Sequence, residues 1–362
     1  MTKPIPPSHF LRPVRPMAQL CHGLPAAIDT VADHAPASHR FLRRQWFAAA
    51  QAHYGGEPRT LMVMADDWPM LALPFQPIGP ALLRVAGVPG SYWPFRSFPV
   101  HRSAVGEIFA AALAELSRRV NALRIGPVYD GDAAVAPLIA AARAAGWAVL
   151  DRRVADSFLL DIAAVRAGGD WPRGSTLRKN RFHEKHLAAH GALEWRFVAG
   201  AEWTPAIFDE LAQVERASWI AERTDGRDAK FTDGGHGGFW RAAAADPQVA
   251  AMMWAALLHV DGRPAAFSFD INAGATKYAI ANSYDPAFAK HSPGKLLYYR
   301  NLVRGIDDGI TTVDWGAGDS GYKRTIGAEQ GPAIRDWLLV RPGVAAFIAR
   351  HAAALWRRTG TG

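Results

Sequence analysis

The stretch 276–297, TKYAIANSYDPAFAKHSPGKLL, holds the residues best placed to bind an anion: a strand runs out near Tyr284 and a helix opens at Ser292-Pro293-Gly294-Lys295. Ser292 suits the cap, Pro293 suits the first helical position, and Gly294 lets an anion approach the free backbone N–H groups. Lys295 adds a positive charge beside them. A helix N-terminus presented at the end of a strand is suited to a pyrophosphate, although the same pattern also serves a capped helix with no ligand. Two carboxylates are candidates for a general base. Strand 266–272 alternates Phe267, Phe269 and Ile271 with Ser268, Asp270 and Asn272, so one face is polar and Asp270 could line a cleft. Asp314 stands on a later strand and could reach the same cleft, or satisfy backbone donors where that strand ends.

Other clusters carry less. His183, His186 and His190 fall at helical spacing, but Arg181 and Lys185 beside them oppose a cation, and no metal is expected. The run Asp233-Gly234-Gly235-His236-Gly237-Gly238 is rich in glycine yet lacks the Lys-Ser/Thr ending and preceding strand of a phosphate loop, so it reads as a mobile lid over the acceptor cleft. Cys21 is the only cysteine, which excludes an internal disulfide, a Cys-based zinc site and a Cys-x-x-Cys redox centre.

These residues must be positioned by a chain of 362 residues, long enough for two domains. With 49% hydrophobic and 20% charged residues it has the composition of a folded globular protein. The net charge of +8 favours anionic partners, or reflects a generally arginine-rich proteome. No apolar run reaches the length of a spanning helix and no signal-peptide core precedes a cleavage site, so a cytoplasmic location is expected.

Pro4, Pro6, Pro7, Pro13 and Pro16 disfavour helix and deny backbone donors, and residues 1–30 are expected to be an extended arm. Alternating helix and strand patterns then fill 31–165, and 165–174 reads as a linker. In the second half, 166–342, three antiparallel strands over 251–284 are followed by helix, strand, short helix and strand. Residues 343–362 read as an amphipathic C-terminal helix that packs against its own domain.

Over about 175–330 the chain resembles the BioF2-like acetyltransferase domain, the family that includes CelD/BcsL-type proteins of cellulose biosynthesis. The resemblance rests on ordered motifs: Leu177-Arg178-Lys179-Asn180-Arg181, the hairpin DGRPAAFSFDI at 261–271, Tyr284-Asp285-Pro286, HSPGKLL at 291–297, Asp314-Trp315-Gly316-Ala317-Gly318-Asp319, and Tyr322-Lys323. It implies an α/β (α+β) fold of tandem GNAT-like acyltransferase units, each a mixed, mostly antiparallel sheet flanked by helices. The first unit, 31–165, would be degenerate.

It also implies a CoA-type donor, acetyl-CoA foremost, with pantetheine along 276–284 and the pyrophosphate on 291–296. Tyr284, Ser292, Pro293, Gly294, Lys295 and Leu296 inherit that role. In the wider fold a tyrosine just after the fifth strand protonates the leaving thiolate, and Tyr322 falls there. Lys323 resembles the lysine that Fem-type transferases place near the reacting carbonyl. Asp319, three residues before Tyr322, is either catalytic or the cap of a short helix. The reading that follows is an N- or O-acyltransferase acting on an amino sugar, a polysaccharide precursor or a related envelope metabolite, with a small-molecule or glycan-precursor acceptor. The alternatives are a Fem-type transferase using aminoacyl-tRNA, whose phosphates would meet the basic helix 173–190, and a non-catalytic component of polysaccharide secretion. Nucleic acid enters only in the Fem-type reading.

Overall fold

In a computed structural model that describes residues 16–91, 93–218, 228–318 and 321–359, the apolar runs of the sequence become the strands of a twelve-stranded sheet. The first half contributes β1 (Met17–His22), α1 (Ala27–Asp33), α2 (Arg44–Tyr54), β2 (Arg59–Ala65), β3 (Trp68–Pro77), β4 (Val85–Gly87), α3 (Gly106–Arg119), β5 (Ala122–Tyr129), α4 (Val135–Ala144) and β6 (Ala148–Asp161). Helices α5 (Ile162–Ala167) and α6 (Gly174–Leu187) lead into β7 (Leu193–Ala199), α7 (Pro205–Ala217), α8 (Gly237–Ala243) and α9 (Pro247–Met252). Then follow β8 (Met253–Val260), β9 (Arg263–Ala273), β10 (Thr276–Tyr284), α10 (Pro293–Asp307), β11 (Thr312–Ala317), α11 (Tyr322–Thr325), β12 (Glu329–Val340) and α12 (Val344–Arg358).

Local chemistry explains the joints. Asp261 and Gly262 both take positive φ, 50° and 73°, the geometry of a two-residue hairpin, and so join β8 to β9. The Thr204 hydroxyl accepts from the Ile207 N–H to cap α7, with Pro205 at its first position.

The strand order is β1-β2-β3-β4-β5-β12-β6-β11-β10-β9-β8-β7. From either edge, five strands of one half are followed by the last strand of the other half. β12 pairs antiparallel with both β5 and β6, and β6 pairs antiparallel with β11. The expected boundary at 166 therefore divides the chain but not the sheet. The halves also share a core, since the Trp46 ring lies 4.9 Å from Phe239 and 5.8 Å from Trp240.

Two expectations are corrected. Residues 17–22 are not an extended arm: they pair antiparallel with β2 from Met17↔Met64 to His22↔Arg59. After Pro16 no proline recurs until Pro25, so the backbone donors a strand needs are present. The glycine run at 233–238 is a packed turn rather than a mobile lid. A Cβ on Gly235 would stand 2.0 Å from the Ala229 carbonyl oxygen and one on Gly237 2.2 Å from that of Phe231. His53 and Tyr54 of α2 bond this turn at Gly235 O and His236 Nδ1. The C-terminal helix α12 packs on the sheet as expected, through Ala345, Ala346, Ala349, Ala353 and Trp356, while its outer face leaves Phe347, Ile348 and Leu355 exposed. Among the described residues no helix is long and apolar enough to cross a membrane.

Each half holds one pair of parallel neighbours, β4 with β5 and β10 with β11. In the first half the wedge beyond that pair is closed by its own loop. The Val88 N–H donates to Arg124 O and the Arg96 N–H to Pro127 O, while Phe95 bridges to Val128. The corresponding segment of the second half, Pro286–His291, turns away into α10 and leaves its wedge open.

Candidate active site

That open wedge is the centre of the site. The β10–β11 ladder runs from Thr276↔Thr312 to Tyr278↔Asp314 and stops, although β10 continues to Tyr284 and β11 to Ala317. At the same level the β10 register with β9 breaks between Ala279 and Ala281. A bulge of this kind bends one strand away from its neighbour, freeing backbone groups on both. The alternation of side chains then divides the surrounding residues between the two faces of the sheet.

The helix α10 covers one face. Its cap, Ser292, sits at φ 51° and makes no side-chain cap bond, and the Gly294 and Lys295 N–H groups find no acceptor among the described residues. A Cβ on Gly294 would lie 3.1 Å from both Asn282 Oδ1 and Tyr284 Cδ1, so glycine is what allows the helix start to approach β10. Pro293, Gly294 and Leu296 are buried, anchoring this turn. Positive groups crowd around it: burial lowers the Lys295 pKa and Lys179 of α6 lowers it further, while burial and then Lys179, Lys295, His291 and His186 lower that of His183. Like charges gathered at a helix N-terminus with free amides suit a diphosphate. Tyr284, Ser292, Pro293, Gly294, Lys295 and Leu296 lie together at this turn.

Tyr322 stands on this same side, 41% exposed, with its ring 5.9 Å from Trp315 and 6.3 Å from Tyr298. Lys323 does not face a cleft. It is 4% exposed, and its Nζ donates to the carbonyl oxygens of Trp315, Gly316, Ala317 and Gly318 at 2.8, 3.3, 3.0 and 2.7 Å. It therefore ties down the turn by which the chain leaves β11. Asp319 lies outside the described residues.

On the opposite face lies a cavity of about 280 Å³, lined from both halves, with Asp314, Tyr278, Thr276 and Thr312 on one side and His39, Ser97, Tyr129 and Asp132 on the other. Asp314 is 3% exposed, and its Oδ1 accepts from the Gly316 N–H at 2.7 Å. Burial pushes its carboxyl up to about 6, against the pull of that N–H, the nearby Tyr129 hydroxyl and Lys323. The Tyr129 hydroxyl is itself buried without a hydrogen bond of ordinary geometry. A carboxyl of this pKa exchanges a proton near neutral pH, which is what a general base requires.

Asp270, the other candidate base, is turned to the helix side. It is 1% exposed and closed into a network in which Lys277 Nζ and Asn301 Nδ2 donate to its Oδ2 at 3.0 and 2.7 Å. The polar face read from the strand alternation exists, but α10 seals it. Sequence reasoning missed His39, Ser97, Tyr129, Asp132 and Tyr278. Tyr278 and Thr276 alternate along β10, which is a faint signal. Asp132 reads only as a helix cap, through its bonds from the Ala134 and Val135 N–H groups.

Residues 174–324 match the acetyltransferase (GNAT) domain family. No curated protein sequence matches the chain. Among solved structures it is similar to FemX, at 11% identity and a TM-score of 0.57 over 92% of this chain and 100% of that one. A conserved protein of unknown function from Bacteroides thetaiotaomicron gives 14%, 0.54, 90% and 100%. L-PGS from Bacillus licheniformis gives 11%, 0.53, 94% and 99%. At such identities these likenesses carry the fold alone: a GNAT-type acyltransferase fold that runs through both halves.

Proposed function

We propose that the protein transfers an acyl group from acyl-CoA, acetyl-CoA foremost, to the amine or hydroxyl of a small acceptor, with amino sugars and other envelope precursors as the favoured class. The observations that support this reading are the end of the β10–β11 ladder at Tyr278↔Asp314, the close approach of the helix start at Gly294 to β10, and the cavity lined by Asp314. The donor would lie with its diphosphate on residues 292–296 and its pantetheine along β10, supplying an activated thioester. The acceptor would enter the 280 Å³ cavity.

The steps follow from the positions of the side chains. The acceptor nitrogen or oxygen, held against Asp314, forms a bond to the thioester carbonyl carbon as its proton passes to the Asp314 carboxylate. Backbone N–H groups of β10 on its β11 side, beyond the last pair Tyr278↔Asp314, would be the donors to the developing oxyanion. The C–S bond then breaks, and Tyr322, on the thiol side, returns a proton to the thiolate. Lys323 acts through the backbone by fixing residues 315–318, and so holds the carboxylate of Asp314 in register.

A second reading, an aminoacyl-tRNA donor, has one observation in its favour: Arg178, Lys179 and Arg181 extend the basic surface along α6 away from the helix start. Thermal shift separates the two, because a ligand stabilises the state it binds. Acetyl-CoA at about 100 times its Kd should stabilise the chain by about 2.7 kcal/mol, and the shift should survive 200 mM salt. A tRNA complex with six or more phosphate contacts would weaken by about a thousandfold or more between 50 and 200 mM salt. A shift with aminoacyl-tRNA and none with any acyl-CoA would replace the first reading by the second.

A further inference from the structure

The far wall of the acceptor cavity belongs to the first half, where Asp132 is arranged in an unequal way. Its Oδ1 accepts from His39 Nε2 at 3.2 Å, Ser97 Oγ at 2.9 Å, the Ala134 N–H at 3.0 Å and the Val135 N–H at 2.9 Å. Every described hydrogen bond of this carboxylate thus falls on one oxygen, and Oδ2 has none. The side chain is 7% exposed and lines the cavity. Burial raises its pKa, but His39 and the other donors more than offset that and hold it below the ordinary carboxylate range, so it is charged at neutral pH. His39 cannot serve as the acceptor's contact, because Ser38 Oγ bonds its Nδ1 at 2.9 Å while Nε2 faces Asp132 and Ser97.

The remaining lining supports a donor-rich ligand. Phe41, Phe95, Tyr129 and Tyr278 form aromatic walls, and the lining contains no lysine or arginine, in a chain of net charge +8. A charged side chain that lines a small aromatic-walled space, with one oxygen outside its described hydrogen bonds, is satisfied by a hydroxyl or an ammonium. We propose that Asp132 Oδ2 selects the acceptor: besides the nitrogen presented to Asp314, the acceptor carries a second hydrogen-bond-donating group that Asp132 receives. The class is the short diamines and amino alcohols, amino sugars included. This inference rests on the acyl-transfer reading and adds the acceptor's second point of attachment.

The test compares kcat/KM for 1,4-diaminobutane, glucosamine and n-pentylamine, with acetyl-CoA as donor, in the natural chain and in D132N. Asparagine keeps an Oδ1 for the four donors but replaces Oδ2 by a donating NH₂ group, which reverses the recognition. The natural chain should prefer at least one two-headed amine over n-pentylamine by about 10- to 100-fold, the worth of one hydrogen bond to a charged group. In D132N that preference should fall to within about threefold, through KM. Whichever of the diamine and the amino sugar carries the preference identifies the second group as ammonium or hydroxyl. A preference that survives D132N overturns the proposal, and so does its absence from the natural chain, a comparison that stands even if D132N folds poorly. Failure to use any of the three amines would also overturn it, while an intact acetyl-CoA thermal shift would leave the donor assignment standing.

Discussion

Replacing Asp314 by asparagine is expected to lower kcat by about 10²- to 10⁴-fold, the usual worth of a general base, and at the same time to stabilise the fold at pH 8. Both effects come from one cause. Burial raises the folded-state pKa of this carboxyl to about 6 from a reference of 3.8. The folded protein therefore binds the proton more tightly than the unfolded chain. Stability from this group is fully present below about pH 4 and is lost as pH rises through about 6. At pH 8 the ionised carboxylate consequently costs the fold on the order of 3 kcal/mol, which a neutral amide of the same shape relieves. The kcat of the natural chain should rise with pH through a midpoint near 6, as the base form appears, and the residual activity of Asp314→Asn should lack that midpoint. Rate profiles from pH 5 to 8, with melting curves at pH 8, check both halves; full activity in Asp314→Asn would remove Asp314 from the chemistry.

The second large effect belongs to stability. Lys277 and Asp270 are each 1% exposed and 3.0 Å apart, and Asn301 joins them to Ser268 and to Trp254 Nε1. Lys277→Ala should cost about 3–5 kcal/mol, because it leaves Asp270 charged, buried and without its cation. A double substitution, Asp270→Leu with Lys277→Met, should recover much of that loss, since apolar residues of similar volume often replace a buried pair at no net cost. Denaturant unfolding of the three proteins measures it. Were Asp270 instead the catalytic base, Asp270→Asn would abolish turnover with little loss of stability, the reverse of what its surroundings indicate.

How much of this was legible in the sequence depended on how local each feature is. The helix start at Pro293 was legible because proline suits the first helical position, whereas the expected Ser292 side-chain cap is not made: its left-handed backbone leaves the hydroxyl without a cap bond. The strands 251–284 were legible because apolar alternation is a property of each strand. Asp270 and Asp314 could not be told apart, since both alternate correctly on their strands. What separates them is which face α10 covers, and that is set by packing. Lys277 gave no sign of its role, because its partner reaches it only through the β9–β10 register, with its irregularity at Ala279–Ala281. The exchange of β6 and β12 has no local signature, as each strand reads the same whichever neighbour it joins. The acceptor wall was invisible for a related reason: His39 and Asp132 are 93 residues apart, and only the closed first half brings them together.

The most direct test of the donor site is calorimetric titration of acetyl-CoA into the natural chain and into Gly294→Leu. The helix start already stands so near β10 that a Cβ at 294 would press on Asn282 and Tyr284 at 3.1 Å. A leucine there should push the free amides away and weaken binding by about 100-fold or more, the worth of two lost hydrogen bonds to a charged group, with the fold retained by circular dichroism. Equal affinity for acetyl-CoA in the two proteins would contradict a diphosphate site at this helix, and with it the account of the wedge as a place where donor and acceptor meet.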